Sequence, residues 1–289
     1  MSVTFFLDSG AFSADSQGKP IDVADYISYI KEHEDVIDIY PVLDVIGNAQ
    51  ATWKNQNIME SSGLTPMPVF HVEDDISYLY QCLDYEYFCL GGMAGGASHK
   101  SRQHFLNNCF DIICDTPDRK PKCKVHGFGL AAPSLMTAYP FYSIDTSSWV
   151  SYSQYGIILL PKLGTNGLPR YDKTPIKIFV TERSPKKSME GLHIQNLTKS
   201  EQSGVKEYIE YMGFQVGESY TFEADPDYEL KEQELFINKE KTCVEHVVTL
   251  GICNNNSLRY ALNMNYFQKI ADSCPEWPWS WTPQIRSFF

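Results

Sequence analysis

Asp8, in the segment LDSGAF, and Asp145, in YSIDTSSW, each follow directly on a short apolar run. Two carboxylates held at strand ends suit displacement at an anomeric carbon. One attacks C1′ of the sugar as a nucleophile while the other handles protons on the leaving or arriving base. These roles need opposite environments: the nucleophile must be ionised, whereas the acid must hold a proton near neutral pH, which partial burial achieves. On residue type alone the pair has other uses, since aspartates at such positions also bind metals or cap helices.

Other groups widen the choice of chemistry. His71 and His126 could serve as metal ligands with Asp8 or Asp145, but no His-x-His pair starts such a site. A hydrogen-bonding or core histidine is the plainer role for each. The eight cysteines are scattered, and neither Cys109–Cys114–Cys123–His126 nor Cys243–His246–Cys253 has the spacing of a compact zinc motif. No metal or cofactor is expected. Gly91-Gly92 would let backbone approach a flat ligand, or simply make a tight turn. Gly127 and Gly129 allow the same argument without forming a dinucleotide fingerprint. Phe12, Phe70, Phe128 and Trp149 lie beside these motifs and could stack on a base, although most aromatics are core.

The elements that must position these residues alternate through the first 160 residues or so. Apolar runs predict strands at Val3–Leu7, Ile37–Leu43, Met67–Phe70, Tyr87–Leu90, Cys123–Val125, Phe141–Ile144 and Ile157–Leu160, with Ile176–Val180 a candidate eighth. Helices are expected at Val23–Lys31, Ala51–Glu60 and Asp75–Leu83. This β/α alternation implies a parallel sheet, and the strand number favours an α/β fold of the closed (β/α)8 TIM-like barrel type. Six of the runs end in a reactive or permissive group: Asp8-Ser9-Gly10, Asp44, His71, Gly91-Gly92, His126-Gly127 and Asp145-Thr146. In such a barrel these ends share one face, where active sites sit.

Residues 1–185 are thus read as the main part of the barrel. Residues 186–289 either complete it or form an appended helical lobe. Ser200–Gly213 reads as an amphipathic helix with a glycine cap, and Thr249–Asp272 holds a longer one. The acidic Glu218–Lys241 stretch reads as an excursion or a partner-facing loop, and the tail Pro275–Phe289 is rich in tryptophan and proline.

A net charge of −12 argues against broad attraction to polyanions, although a local basic patch can coexist with it. Arg119–Lys120–Pro121–Lys122 with Lys124, and Arg183–Ser184–Pro185–Lys186–Lys187, are candidates for such a patch or are solvated loops. No run approaches the roughly 20 apolar residues that span a bilayer, so no membrane partner is expected. MSVTFFLDSG lacks a basic n-region, so no signal peptide is expected, and free thiols fit a reducing cytoplasm.

Taken in order, LDSGAF, PVLDVIG, PVFHVED, LGGMAGG, VHGFGL and YSIDTSSW resemble the successive motifs of tRNA-guanine transglycosylases. The similarity is closer to their phage-encoded relatives, the DpdA-type enzymes that insert 7-deazaguanines into DNA. It spans roughly residues 3–160. The resemblance implies that Asp145 is the nucleophile and Asp8 the base-contacting acid/base. Asp44 would read the guanine edge, and His71 stands where the family usually has a base-binding glutamine. Gly91 and Gly92 match the pair whose backbone binds the base. Ser9, Gly10, Phe12, His126 and Gly127, in or beside these motifs, join the substrate-binding set. Two family features used to hold tRNA are missing: a C-x-C-x-x-C zinc site, and a basic segment after the nucleophile, here replaced by Thr146-Ser147-Ser148-Trp149.

The expectation is therefore a glycosyltransferase that exchanges guanine in DNA for a free 7-deazaguanine base such as preQ0, in the cytoplasm or that of a phage host. Its partners would be DNA and the free base, and a homo-oligomer is left open. The rivals are the same chemistry on tRNA, a non-catalytic base-binding subunit and a metal hydrolase.

Overall fold

The computed structural model describes residues 4–93, 97–184, 191–225 and 227–283. Val3, residues 94–96 of the glycine-rich motif, 185–187 of the second basic run and the last six residues of the tail lie outside them. The chain divides into two compact units. One holds the chain up to Thr146 together with the segment from Pro275, and the other is Ser147–Cys274. The sequence reading placed its boundary at 185 instead.

In the first unit, parallel extended segments follow one another in chain order. Phe6 bridges to Ile39 and Pro41 to Met67. Then come β1 (Val69–His71), β2 (Tyr87–Gly91), β3 (Lys124–Gly127) and β4 (Ser143–Ile144), each parallel to the last. The connections carry α1 (Ala11–Gln17), α2 (Val23–Glu32), α3 (Ala49–Ser61), α4 (Ile76–Cys82), α5 (His99–Ile113) and α6 (Pro133–Met136). Side-chain acceptors of Asp22, Asn48, Asp75 and Ser98 cap α2, α3, α4 and α5, which fixes where each helix starts.

Alternate strand residues serve two faces. Phe88, Leu90 and Val125 pack with Leu79, Leu106, Phe110, Ile113 and Trp281 in an apolar layer. Tyr87, Cys89 and Gly91 occupy the intervening positions. The mixed α/β class with a parallel sheet is as expected, and the Phe6 ring stacks on His126 at 4.5 Å, so the array curls strongly. Closure into eight strands is not seen among the described residues.

The second unit contains α7 (Ser148–Gln154), β5 (Ile157–Leu160), β6 (Lys162–Leu163), β7 (Pro169–Arg170), β8 (Ile176–Phe179), β9 (Leu192–His193), α8 (Lys199–Tyr211), β10 (Glu218–Glu223), β11 (Glu234–Phe236), β12 (Cys243–Thr249) and α9 (Asn256–Ser273). Here the strand expectations need correction. Ile157–Leu160 and Ile176–Val180 were assigned to a parallel array, yet β5 and β8 pair antiparallel, Ile157 opposite Phe179 and Leu160 opposite Ile176. The chain reverses through the β6–β7 hairpin, whose turn is closed by Gly167 N donating to Gly164 O. Near-continuous apolar strands report burial on both faces but not direction.

The acidic stretch is likewise more than a loop. β10 and β11 flank β12 in an antiparallel sheet. Ser-Tyr-Thr-Phe alternates with period two, placing Tyr220 and Phe222 on one face 6.2 Å apart.

All eight cysteines are unbridged. The first basic run is paired: Arg119 with Asp111, Lys120 with Asp118, Lys122 with Asp115 and Lys124 with Glu86. Arg183 of the second run binds the buried Glu245 through Nε and a terminal nitrogen. Among the described residues, no helix is long and apolar enough to cross a membrane.

Candidate active site

The parallel register decides which strand-end residues meet. His71 stands opposite Gly91, and Cys89 is flanked by Val69 on β1 and His126 on β3, with His126 opposite Ser143. Ascending two residues along each segment passes from a floor to a rim. Phe6 leads to Asp8, Ser143 to Asp145 and His126 to Phe128, and these six, with Thr4, Ile39, Tyr87, Tyr142 and Ile144, line a cavity of about 460 Å³. That volume lies in the range of small-molecule sites. A larger hollow along α3 and Tyr78 contains no carboxylate, histidine or cysteine and offers none of this chemistry.

The wall of the cavity is aromatic. Phe6 lies nearly parallel to His126, and Phe128 stands edge-on to both, 4.8 Å from His126 and 6.2 Å from Phe6. Its charged groups are Asp8 and Asp145. Asp145 is held by the end of the neighbouring strand β3: its N–H donates to Gly127 O, and Gly129 N donates to its Oδ1 at 2.9 Å. The side chain stays half exposed at 54%, open to a reactant. Burial and then the Asp145 charge push the Asp8 carboxyl above the usual carboxylate range, with a further push from Asp44; backbone N–H groups of Gly10 and Ser9 oppose them.

Asp44 belongs to a second cluster next to the first. Ser9 Oγ donates to Asp44 Oδ1 at 2.9 Å, and His71 Nε2 lies 3.0 Å from Asp44 Oδ2. The segment carrying Asp44 is clamped by polar residues of α3. Asn55 donates to Leu43 O, and Val45 N donates to Thr52 Oγ1. Thr52 and Asn55 of this helix thus have a positioning task. Asp74 Oδ2 accepts from His71 N and closes the turn after β1. Gly91 is required by close approach, since a Cβ there would meet the His71 ring. Gly10, at φ +72°, turns the chain from Ser9 into α1.

The other expected residues are distributed differently. Gly92 packs against Val72, and Gly127 against the Phe141 ring, on the helix-facing side of the strand. Phe12 is 66% exposed on α1 and does not line the cavity. Phe70 is buried against Phe105, and Trp149 stands edge-on to Tyr260 in the second unit. Of the proposed stacking residues, only Phe128 reaches the cavity.

Residue-by-residue reading missed Phe6, Tyr87, Ser143 and Tyr26. The first three could have been found by stepping back along the strands from Asp8, Gly91 and Asp145, because such positions share a face. Tyr26 is buried on α2 and donates to Pro41 O at 3.2 Å. Burial and the nearby charges of Asp8 and Asp44 push its hydroxyl upward, so it stays a donor. No signal in the sequence singles it out. Among the described residues, no three His, Cys, Asp or Glu side chains gather as a metal-binding group.

The arrangement can hold a flat ring against an aromatic wall between one carboxylate that accepts a backbone donor and one biased toward keeping a proton. Compared with known proteins, the chain matches no family model and no curated sequence.

Proposed function

We propose that this cavity exchanges a nucleic-acid base, and that the protein is a guanine transglycosylase inserting a 7-deazaguanine into DNA. The observation that carries the reading is the pairing of Asp8 and Asp145 across one aromatic-walled cavity, with Asp8 shifted toward its protonated form. Asp145 attacks C1′ and the C1′–N bond to guanine breaks. The sugar is left as an ester on Asp145, and Asp8 supplies the proton that the departing base takes up. The incoming base loses a proton to Asp8, attacks C1′, and Asp145 leaves as carboxylate. Asp44, His71 and the Gly91–Gly92 backbone read the base edge, where an unmatched edge would leave buried polar groups unpaired. A base in a duplex must be flipped out first, at a cost of a few kcal/mol.

The reading extends to the fold. Sequential parallel segments that curl until Phe6 meets His126 suit a (β/α) barrel whose mouth is this site. It is tested by incubating duplex DNA carrying labelled guanine with unlabelled 7-deazaguanine bases. Release of label that requires both carboxylates supports the reading. Release that persists in Asp145→Ala contradicts it.

A further inference from the structure

Behind Asp145 lies a chain of polar groups that the exchange reaction, as set out above, does not use. Tyr87 Oη is 2.5 Å from Ser143 Oγ, and Ser143 Oγ is 2.5 Å from His126 Nδ1. His126 is 3% exposed, and its Nε2 has no hydrogen-bond partner. Asp145 Oδ1 lies 3.4 Å from that nitrogen. A buried ring nitrogen without a partner, 3.4 Å from a carboxylate, calls for a physical reason.

The hydroxyls supply one. Burial pushes the Tyr87 hydroxyl up to about 12, so it keeps its proton and can donate it to Ser143 Oγ. Ser143 then has its single proton free for His126 Nδ1, and an imidazole that accepts it there carries its own proton on Nε2. The opposite polarity would set the Nε2 lone pair against the Asp145 carboxylate. Phe6, stacked on one face of the ring, and Phe128, edge-on to it, hold the imidazole in place.

We propose that His126 is a positioning residue for Asp145, held in its Nε2–H tautomer by the Tyr87–Ser143 chain so that it donates to Oδ1 and leaves Oδ2 to attack. This rests on the base-exchange reading. Oδ1 then receives two N–H donors, from Gly129 and His126, whereas Asp8 faces burial and negative charge. The chain thus gives two neighbouring carboxylates different surroundings. Contacts of this length commonly tighten when the substrate binds. The titratable groups facing the pair are Asp8 and Asp44 from the first two segments, Tyr87 and Cys89 from β2, and Tyr142 beside β4.

The test is the pH dependence of single-turnover adduct formation on DNA for wild type, His126→Gln, Ser143→Ala and Ser143→Thr. His126→Gln should slow adduct formation about 10- to 100-fold, the scale on which orienting partners act. It should also move the acid limb of the profile to higher pH, because Oδ1 loses a donor. Ser143→Ala should shift the limb the same way by less, and Ser143→Thr, which keeps the hydroxyl, should restore it. An acid limb unmoved in both His126→Gln and Ser143→Ala overturns the proposal, since a merely structural ring would lower the rate equally at all pH.

Nitrogen-15 NMR of the imidazole separates this from failure of the parent reading. If wild type forms no adduct on DNA or tRNA, the exchange reaction falls. The pairing still stands if His126 is the Nε2–H tautomer and Asp145→Asn makes it easier to deprotonate. An Nδ1–H tautomer, or no response to Asp145→Asn, overturns the pairing.

Discussion

Gly91 lies so close beneath the His71 imidazole that a Cβ would sit 2.7 Å from ring Cε1 and 2.8 Å from Nδ1. The same ring reaches Asp44, so the glycine, the histidine and the aspartate form one stacked unit. Gly91→Ala should push the ring aside and break its bond to Asp44. Free-base affinity, measured by titration calorimetry, should fall about tenfold, the equivalent of a hydrogen bond to a charged group. Wild-type affinity would show that this unit does not read the base.

Asp8→Asn tests the other carboxylate. Removing the acid/base should lower exchange by about 10²- to 10⁴-fold. The stability effect has the opposite sign. A carboxyl whose pKa is raised by folding contributes stability that is complete below the usual carboxylate range and is lost as pH rises through the raised value. At neutral pH, Asp8→Asn should therefore raise the melting temperature, and the gain should vanish as the solution is acidified. Melting curves across that range check the sign.

How much of this was legible in the sequence differs by element. Asp8, Asp44, His71, Gly91 and Asp145 could be placed together because each follows an apolar run, and parallel strands deliver their ends to one side. α5 was harder. Its buried Phe105, Leu106, Cys109, Phe110 and Ile113 do recur at helical spacing, but the intervening residues, Asn107 and Asn108 among them, are mostly polar and mask the short stripe. The antiparallel β5–β8 pair was illegible in direction, since Ile-Ile-Leu-Leu and Ile-Lys-Ile-Phe suit either orientation. The Tyr87–Ser143–His126 chain joins residues up to 56 positions apart, and only the register between β2, β3 and β4 brings them together.

The tail offers a stability test for the first unit. Trp281 is 2% exposed between Phe110 and Tyr139, with the Arg119 guanidinium 4.9 Å from its ring centre. Trp281→Ala should cost about 3–5 kcal/mol. Amide hydrogen exchange in α5 and β2 should accelerate accordingly. Unchanged protection there would mean that the tail does not support this core.

Asn263 plays a comparable part in the second unit. It is fully buried on α9, accepts from Leu159 N at 3.0 Å, and donates to Ile157 O and Ser153 Oγ, both at 2.9 Å. Asn263→Leu keeps similar volume but strands the two backbone groups of β5, and should destabilise by about 2–4 kcal/mol. A urea titration with a probe in this unit measures the loss. An equally stable variant would show that water or a rearranged strand replaces the amide.

The central claim is that Asp145 becomes covalently bound to the sugar while Asp8 moves the proton. Denaturing gels with wild type and Asp145→Ala, each offered DNA and tRNA with a 7-deazaguanine base, measure this most directly. The expected result is a denaturation-resistant protein–DNA band with wild type that is absent with Asp145→Ala and weaker on tRNA. A band with Asp145→Ala, or no band with wild type on either polymer, would contradict the account, and a stronger tRNA band would reassign its substrate.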